Sequence, residues 1–343
     1  MIFEQFAAGG CQSYLAGCPK SFAAVLIDPE IGLVDRYRAV AAREGLTIRY
    51  LVETHTHADH FSASRQLAQL LRIPVVMHRE SPAPFVDLRL DDGFMLAVGD
   101  LRFTALHTPG HTRDSMCLVG PDRVFTGDTL LIGGTGRTDL PSGDPDMLYD
   151  SLFGKLLTLD PALQVYPAHD YKGRGHSTIG AELADNRRLQ AKDRAAFVAM
   201  MRALNLSAPT HLTEALRINM SGAKSVAQLL AQAAATVPFL SLGELEARIA
   251  RRANDFVLLD VREKDAFAAG HIPTARHLPR GQLELRINEV FPDPTLRIVA
   301  YCEFGKISTL AAATLRDLGF AGAAALDGGM KAWREAGFAV EQD

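Results

Sequence analysis

The sequence predicts a two-domain α/β protein, and three observations carry that prediction. At 343 residues the chain exceeds the ~100–200 residues of a usual single core. Short apolar runs closed by turn residues alternate with helically periodic segments through the first 220 residues. After Pro238 the same alternation begins afresh, with no sequence repeat between the halves. Domains over 1–220 and 239–343, joined by a linker over 221–238, are therefore expected.

Taken in order, Ala23 to Asp28 is an apolar run stopped by Asp28-Pro29, and Val34 to Glu44 carries helical periodicity. Arg49 to Glu53 reads as a strand that runs into a histidine-rich loop. A helix over Ala63 to Leu71 and a strand over Pro74 to Met77 follow. Phe94 to Leu96 and Leu101 to Leu106 read as a hairpin around Gly99-Asp100. Met116 to Val119 and Val124 to Thr126 continue the sheet. Met147 to Leu157, Ile179 to Lys192 and Arg194 to Leu204 read as helices, and Val226 to Ala235 is alanine-rich and poorly amphipathic. In the second half, helices are expected over Leu242 to Arg252 and Ser308 to Leu318, and strands over Phe256 to Asp260 and Arg297 to Tyr301.

Composition narrows the function. Hydrophobic residues at 48% and charged residues at 22% are globular values. A formal net charge of −4 provides no basic stripe for nucleic acid. No apolar run approaches the ~20 residues of a membrane span, and the first residues do not form a signal peptide, so a cytoplasmic protein is expected. The four cysteines, Cys11, Cys18, Cys117 and Cys302, lack the density of a disulfide framework; Cys11 and Cys18 read as plain packing or surface residues.

Histidines and aspartates fall where apolar strands end: His55, His57, Asp59 and His60 in one loop, then His111 after Thr108-Pro109-Gly110, Asp128 in Thr126-Gly127-Asp128, and His169 in Pro167-Ala168-His169-Asp170. Imidazoles and carboxylates suit borderline first-row ions, and successive strand-end loops can bring them together above a sheet.

These motifs resemble the metallo-β-lactamase superfamily over residues 1–220, and within it the persulfide dioxygenases, relatives of glyoxalase II. The resemblance implies an αββα sandwich. It also implies one Fe(II) per chain held by His55, His111 and Asp128, with His57, Asp59, His60 and His169 as orienting residues or, in a two-zinc alternative, as further ligands. The sequence Pro167-Ala168-His169-Asp170-Tyr171 is similar to the dioxygenases, where glyoxalase II carries Gly-His-Glu. Arg137, in a glycine-rich loop that has Thr135 where family members often carry cysteine, matches a glutathione-binding arginine. Tyr171 and Arg217 are further candidates for holding glutathione.

Asp260-Val261-Arg262, Gly270-His271-Ile272-Pro273 and Gly328-Gly329-Met330-Lys331-Ala332-Trp333 together resemble a rhodanese domain over residues 239–343. The loop Cys302-Glu303-Phe304-Gly305-Lys306-Ile307 then runs from a strand into a helix. Backbone amides around a sulfur at a helix N-terminus stabilise negative charge there, which makes Cys302 the expected persulfide-forming nucleophile. Many thiosulfate-using rhodaneses place an arginine beside the cysteine; this chain has Glu303, expected to repel a dianion, with Lys306 as the loop's only cation.

The resemblance implies glutathione persulfide, glutathione, O2 and thiosulfate or sulfite as partners, and it allows a homo-oligomer. Two other functions are carried forward: a binuclear zinc thioester hydrolase with an appended sulfurtransferase, and a rhodanese unit that only delivers sulfur.

Overall fold

A computed structural model describes residues 1–191, 193–207 and 212–342, which divide into two compact units, Met1–Ala223 and Lys224–Asp343. The first unit holds two six-stranded sheets. Strands β1 (Ile2–Ala8), β2 (Cys11–Gly17), β3 (Ala23–Ile27), β4 (Thr47–Val52), β5 (Val75–His78) and β6 (Leu88–Leu90) lie in sequence order, antiparallel from β1 to β3 and parallel from β3 to β6. The second sheet is built from β7 (Met95–Val98), β8 (Leu101–His107), β9 (Met116–Val119) and β10 (Arg123–Gly127). It also takes in β13 (Gln164–Pro167) and β14 (Ser177–Thr178), which follow a small ribbon of β11 (Leu130–Leu131) and β12 (Gly134–Thr135).

Period-two alternation decides what each strand buries. In β3, Val25 and Ile27 join the core between the sheets, with Tyr14, Phe103, Phe125 and Tyr166, while Ala24 and Leu26 face outward. That outer face is covered by α1 (Val34–Arg43) and α2 (Ser64–Leu71), through Tyr37, Val40 and Leu67. The opposite face of the second sheet packs on α3 (Pro145–Phe153) and α5 (Arg194–Arg202), with α4 (Ile179–Asp185) alongside. The result is the expected αββα sandwich. The last helix of the unit is α6 (Leu212–Ser221).

Three local expectations change. The β1–β2 hairpin was not anticipated, although Gly9-Gly10, both at positive φ, separate its strands. The helix expected from Ile179 to Lys192 stops at Asp185, because Asn186 turns its side chain onto Gly134 O, Glu182 and the Arg188 amide; Lys192 lies outside the described residues. The linker expected over 221–238 does not stand apart as a connection. It contains α7 (Val226–Thr236), started by a Ser225–Gln228 capping box and packed on a helix of the second unit, α11 (Lys306–Asp317).

The second unit carries a parallel sheet in the order β15 (Phe239–Leu240), β19 (Ala324–Leu326), β18 (Ile298–Tyr301), β16 (Val257–Asp260), β17 (Arg276–His277). Both faces are covered, as a parallel sheet requires. Leu259 and Ala300 pack with α10 (Leu283–Val290) and α11 on one side. Leu258, Val299 and Tyr301 pack with α8 (Leu242–Ala250) and α12 (Gly329–Glu335) on the other. The short α9 (Lys264–Ala268) follows β16.

Candidate metal centre and cysteine loop

In the first unit, β4, β8, β10 and β13 each run into a loop that carries one of the expected ligands. His55, His111 and Asp128 form one buried group. The His111 and His55 Nε2 atoms lie 3.5 and 4.0 Å from the same oxygen, Asp128 Oδ2. Their other ring nitrogens are fixed from behind. His111 Nδ1 lies 2.8 Å from the Arg137 carbonyl, so Nδ1 donates and Nε2 keeps its lone pair. His55 Nδ1 lies 3.0 Å from Thr54 Oγ1, whose own proton goes to Asp28 Oδ2 at 2.8 Å; the hydroxyl oxygen must accept from His55, and His55 Nε2 is again left bare. Burial and the neighbouring His57 push the His55 pKa well down, which keeps the ring neutral. Burial opposes ionisation of Asp128, but His169 and then His111 outweigh it and hold the carboxyl below its ordinary range.

These residues fit a metal ion. His55 Nε2 is buried without a hydrogen-bond partner, and a bare imidazole lone pair facing an ionised carboxylate is costly unless a cation lies between them. Two neutral nitrogens and one carboxylate oxygen form a face that leaves other positions open.

The remaining loop residues have separate tasks. His57 points its Nε2 at Glu53 Oε2 (3.0 Å) and Asp28 Oδ1 (3.2 Å), and its Nδ1 has no partner. Burial resists charge on His57, but these two carboxylates raise its pKa well above the ordinary value. His169 spans two carboxylates, Nδ1 to Asp128 Oδ1 and Nε2 to Asp59 Oδ2, both at 2.7 Å, and so turns Asp128 Oδ2 toward the two imidazoles. His60 is buried with neither ring nitrogen in a hydrogen bond, although its Nδ1 lies 3.6 Å from Asp59 Oδ1. It groups with Asp59, His169 and Cys11, whose Sγ is 3.6 Å from Asp59 Oδ2. Cys11, expected to be a plain packing or surface residue, thus lies at the edge of the centre.

Several residues that hold the centre together were missed in the sequence. Asp114 ties the first ligand loop to the His111 loop, accepting from Thr56 Oγ1 (2.6 Å) and Thr112 Oγ1 (2.7 Å). Glu53 accepts the hydroxyls of Ser62 and Ser64. Asn219 on α6, buried, donates Nδ2 to His57 O (2.9 Å) and His60 O (2.8 Å) and accepts Ser62 N–H at 3.1 Å. Gly127, at φ +52°, is required because a Cβ there would stand 2.6 Å from Thr54 Oγ1.

The glutathione candidates come out differently from expectation. The Arg137 guanidinium is already filled: it makes two bonds to Asp139 (2.6 and 2.7 Å) and donates to the carbonyls of Ser207 and Leu206. Its contribution to the centre is the carbonyl that holds His111. Arg217 is exposed on α6 two positions before Asn219, and at ~100° per helical residue it projects to the opposite side of the helix from the ligand loop. Tyr171 is 73% exposed and stacks on His169, with ring centroids 5.5 Å apart. It remains free to meet a ligand at the rim.

In the second unit, Cys302 follows β18 and is buried, and Ser308 N–H points at its Sγ at 3.3 Å. The first amides of α12 grip the loop: Met330 N–H donates to Cys302 O (2.8 Å) and Lys331 N–H to Glu303 O (3.0 Å). Gly329 permits that approach, since a Cβ there would sit 2.4 Å from Cys302 O. Phe304 and Ile307 are exposed around the loop, and Lys306 opens α11. Glu303 does not stand as an isolated acid. Its Oε2 meets Arg262 Nη1 at 3.1 Å and its Oε1 meets Arg334 Nη1 at 2.9 Å.

The fold and the strand-end ligand loops define a metallo-β-lactamase superfamily protein, and that family's model matches residues 8–169. The rhodanese-like domain model matches residues 241–336. Human mitochondrial persulfide dioxygenase ETHE1 is 39% identical over 224 residues, covering 64% of this chain and 87% of that protein. The crystal structure of ETHE1 from Myxococcus xanthus superposes with a TM-score of 0.63 at 40% identity, over 64% of this chain and 98% of that one. A hydroxyacylglutathione hydrolase of Rhodopseudomonas palustris is 37% identical over 214 residues, 60% of this chain and 80% of that protein. The chain belongs to the ETHE1 persulfide dioxygenase family and carries a C-terminal rhodanese-like domain.

Proposed function

We propose that the first unit oxidises glutathione persulfide with O2 to sulfite and glutathione at a single Fe(II), and that Cys302 moves sulfane sulfur in the second. The observation that carries the reading is the convergence of two bare Nε2 atoms on Asp128 Oδ2, in a chain 39% identical to a persulfide dioxygenase. The reaction balances as glutathione persulfide plus O2 plus water giving glutathione and sulfurous acid. Iron held by His55, His111 and Asp128 would supply redox chemistry toward O2 and a positive charge that attracts a persulfide anion.

The chain's own residues do the rest. Thr54, with Asp28 behind it, and the Arg137 carbonyl fix the tautomers of His55 and His111. His169 holds Asp128 in orientation and shares its other proton with Asp59. Tyr171 offers a ring and a phenol at the rim to the tripeptide. At the second site, the Cys302 thiolate attacks the outer sulfur of a donor. A sulfur–sulfur bond forms at Cys302, and the donor leaves as sulfite when it was thiosulfate, or as a thiolate when it was a persulfide.

A second reading, a binuclear zinc thioester hydrolase, is favoured by the His60 nitrogens, which make no hydrogen bond beside Cys11, Asp59 and His169. Oxygen uptake separates the two. Iron-loaded protein should consume O2 with glutathione persulfide; His111→Ala should abolish this and Cys302→Ser retain it. Iron-loaded protein that consumes no O2, yet hydrolyses a hydroxyacyl thioester of glutathione, would replace the first reading with the second.

A further inference from the structure

Glu303 links two arginines that the sequence places far apart. Arg262 follows β16 and is buried. Its guanidinium is held by Asp260 through bonds of 2.6 to 3.1 Å and by the Gly270 carbonyl at 2.7 Å, with Nη1 left for Glu303. Arg334 lies on α12, the helix whose first amides grip the Cys302 and Glu303 carbonyls, and its side chain is 43% exposed. Asp260, Arg262, Glu303 and Arg334 thus form a closed row of alternating charge beside the nucleophile, with no net charge.

A site that draws in a dianion needs guanidinium or amide donors left free for it. Here the Arg262 guanidinium is fully taken up by Asp260, Gly270 and Glu303, and the charge of the half-exposed Arg334 is offset by Glu303 through its Nη1. Glu303 therefore matters less as a repelling acid than as the group that offsets Arg334 and takes the last free donor of Arg262, whose charge Asp260 already balances. The exposed rim carries Phe304 and Ile307 with Lys306 beside them, and Lys331, whose Nζ lies 6.0 Å from the Phe304 ring centroid, is paired with Glu335 at 3.8 Å.

We infer that Glu303, clamped between Arg262 and Arg334, is a specificity-determining residue that selects thiol persulfides, which carry at most one negative charge at the reactive sulfur, over the compact dianion thiosulfate. The inference rests on the sulfurtransferase reading of Cys302 and adds the donor class. Removing one full charge at a solvent-facing rim changes the attraction for each unit of substrate charge by about threefold. Thiosulfate brings both of its charges to the Cys302 mouth, whereas glutathione persulfide brings only the one on its outer sulfur, so the ratio of the two donors reports the rim's charge.

The test uses the full chain and four forms: unaltered, Glu303→Gln, Arg334→Gln and the double variant. For each, kcat/KM is measured with thiosulfate and with glutathione persulfide against a common cyanide acceptor. Glu303→Gln should raise the thiosulfate-to-persulfide ratio about threefold, and Arg334→Gln should lower it by a similar factor. The double variant, which restores the charge balance, should return close to the original ratio, and the single-variant effects should shrink in high salt. A loss of loop structure would instead move both single variants in the same direction. That outcome, or a ratio unchanged in Glu303→Gln, overturns the inference. If Cys302→Ser still transfers sulfur from either donor at the original rate, the sulfurtransferase reading fails instead, whatever the ratios do.

Discussion

Asn219→Ala removes a side chain through which α6 grips the first ligand loop. The buried amide donates to two carbonyls, His57 O and His60 O, and accepts from Ser62 N–H. Truncation leaves three backbone groups without partners in a site where Asn219 is only 8% exposed. Each unpartnered buried group costs ~1–3 kcal/mol, and a water that enters the vacated space recovers part of it, so a net loss of about 2–4 kcal/mol is expected. Because the loop carries His55 at one end, part of that loss should appear as weaker metal binding, about 10–100-fold, the usual scale for residues that orient ligands. Competition with a chelator for Zn2+ or Fe2+ measures the affinity, and thermal unfolding of the metal-free chain measures the remainder. Asn219→Asp should be at least as damaging, because it turns an acceptor toward two carbonyl oxygens. Metal affinity within twofold of the original in Asn219→Ala, with an unchanged unfolding midpoint, would refute this account of α6.

Other residues yield expectations of different kinds. His78 stacks on His107, with centroids 3.7 Å apart, and burial together with that neighbour pulls its pKa down to about 4. The unfolded chain binds this proton below the ordinary value of ~6.5, whereas the folded chain does not until about pH 4. Its contribution is therefore complete above pH 6.5 and lost as the pH falls toward 4, about 1–3 kcal/mol in all. Unfolding midpoints of the original chain should drop more steeply than those of His78→Gln across that window; parallel curves would contradict the assignment. Gly329→Ala should abolish sulfur transfer and leave oxygen uptake intact, because the new methyl collides with the Cys302 carbonyl. Thr54→Val should weaken metal binding about tenfold by freeing His55 Nδ1, with a smaller effect on stability, read by the same chelator competition.

The residues that converge at the strand ends were visible in the sequence as a run of histidines and aspartates, and His55, His111 and Asp128 do group together. Which of them would hold a metal came from the family resemblance, because spacing alone does not separate ligands from the residues that orient them. The rhodanese motifs were equally legible, and Gly329 shows why: the motif's glycine is a steric requirement of the cysteine loop. The supporting residues were not legible. Asn219 and Asp114 act through single hydrogen bonds to distant loops, and an isolated Asn or Asp gives no periodicity or spacing to mark it. Arg137 and Glu303 show a second limit. A charged residue in a functional loop reads as facing a ligand, yet each of these faces an opposite charge from its own chain. Arg217 and Asn219 illustrate the same point on one helix, where two positions decide which side chain reaches the centre.

Metal stoichiometry and O2 consumption measured on the same sample separate iron from zinc chemistry. About one iron per chain is expected, with one O2 consumed and one sulfite formed for each glutathione persulfide. Two zinc ions per chain, with thioester hydrolysis and no oxygen uptake after iron loading, would contradict the iron reading.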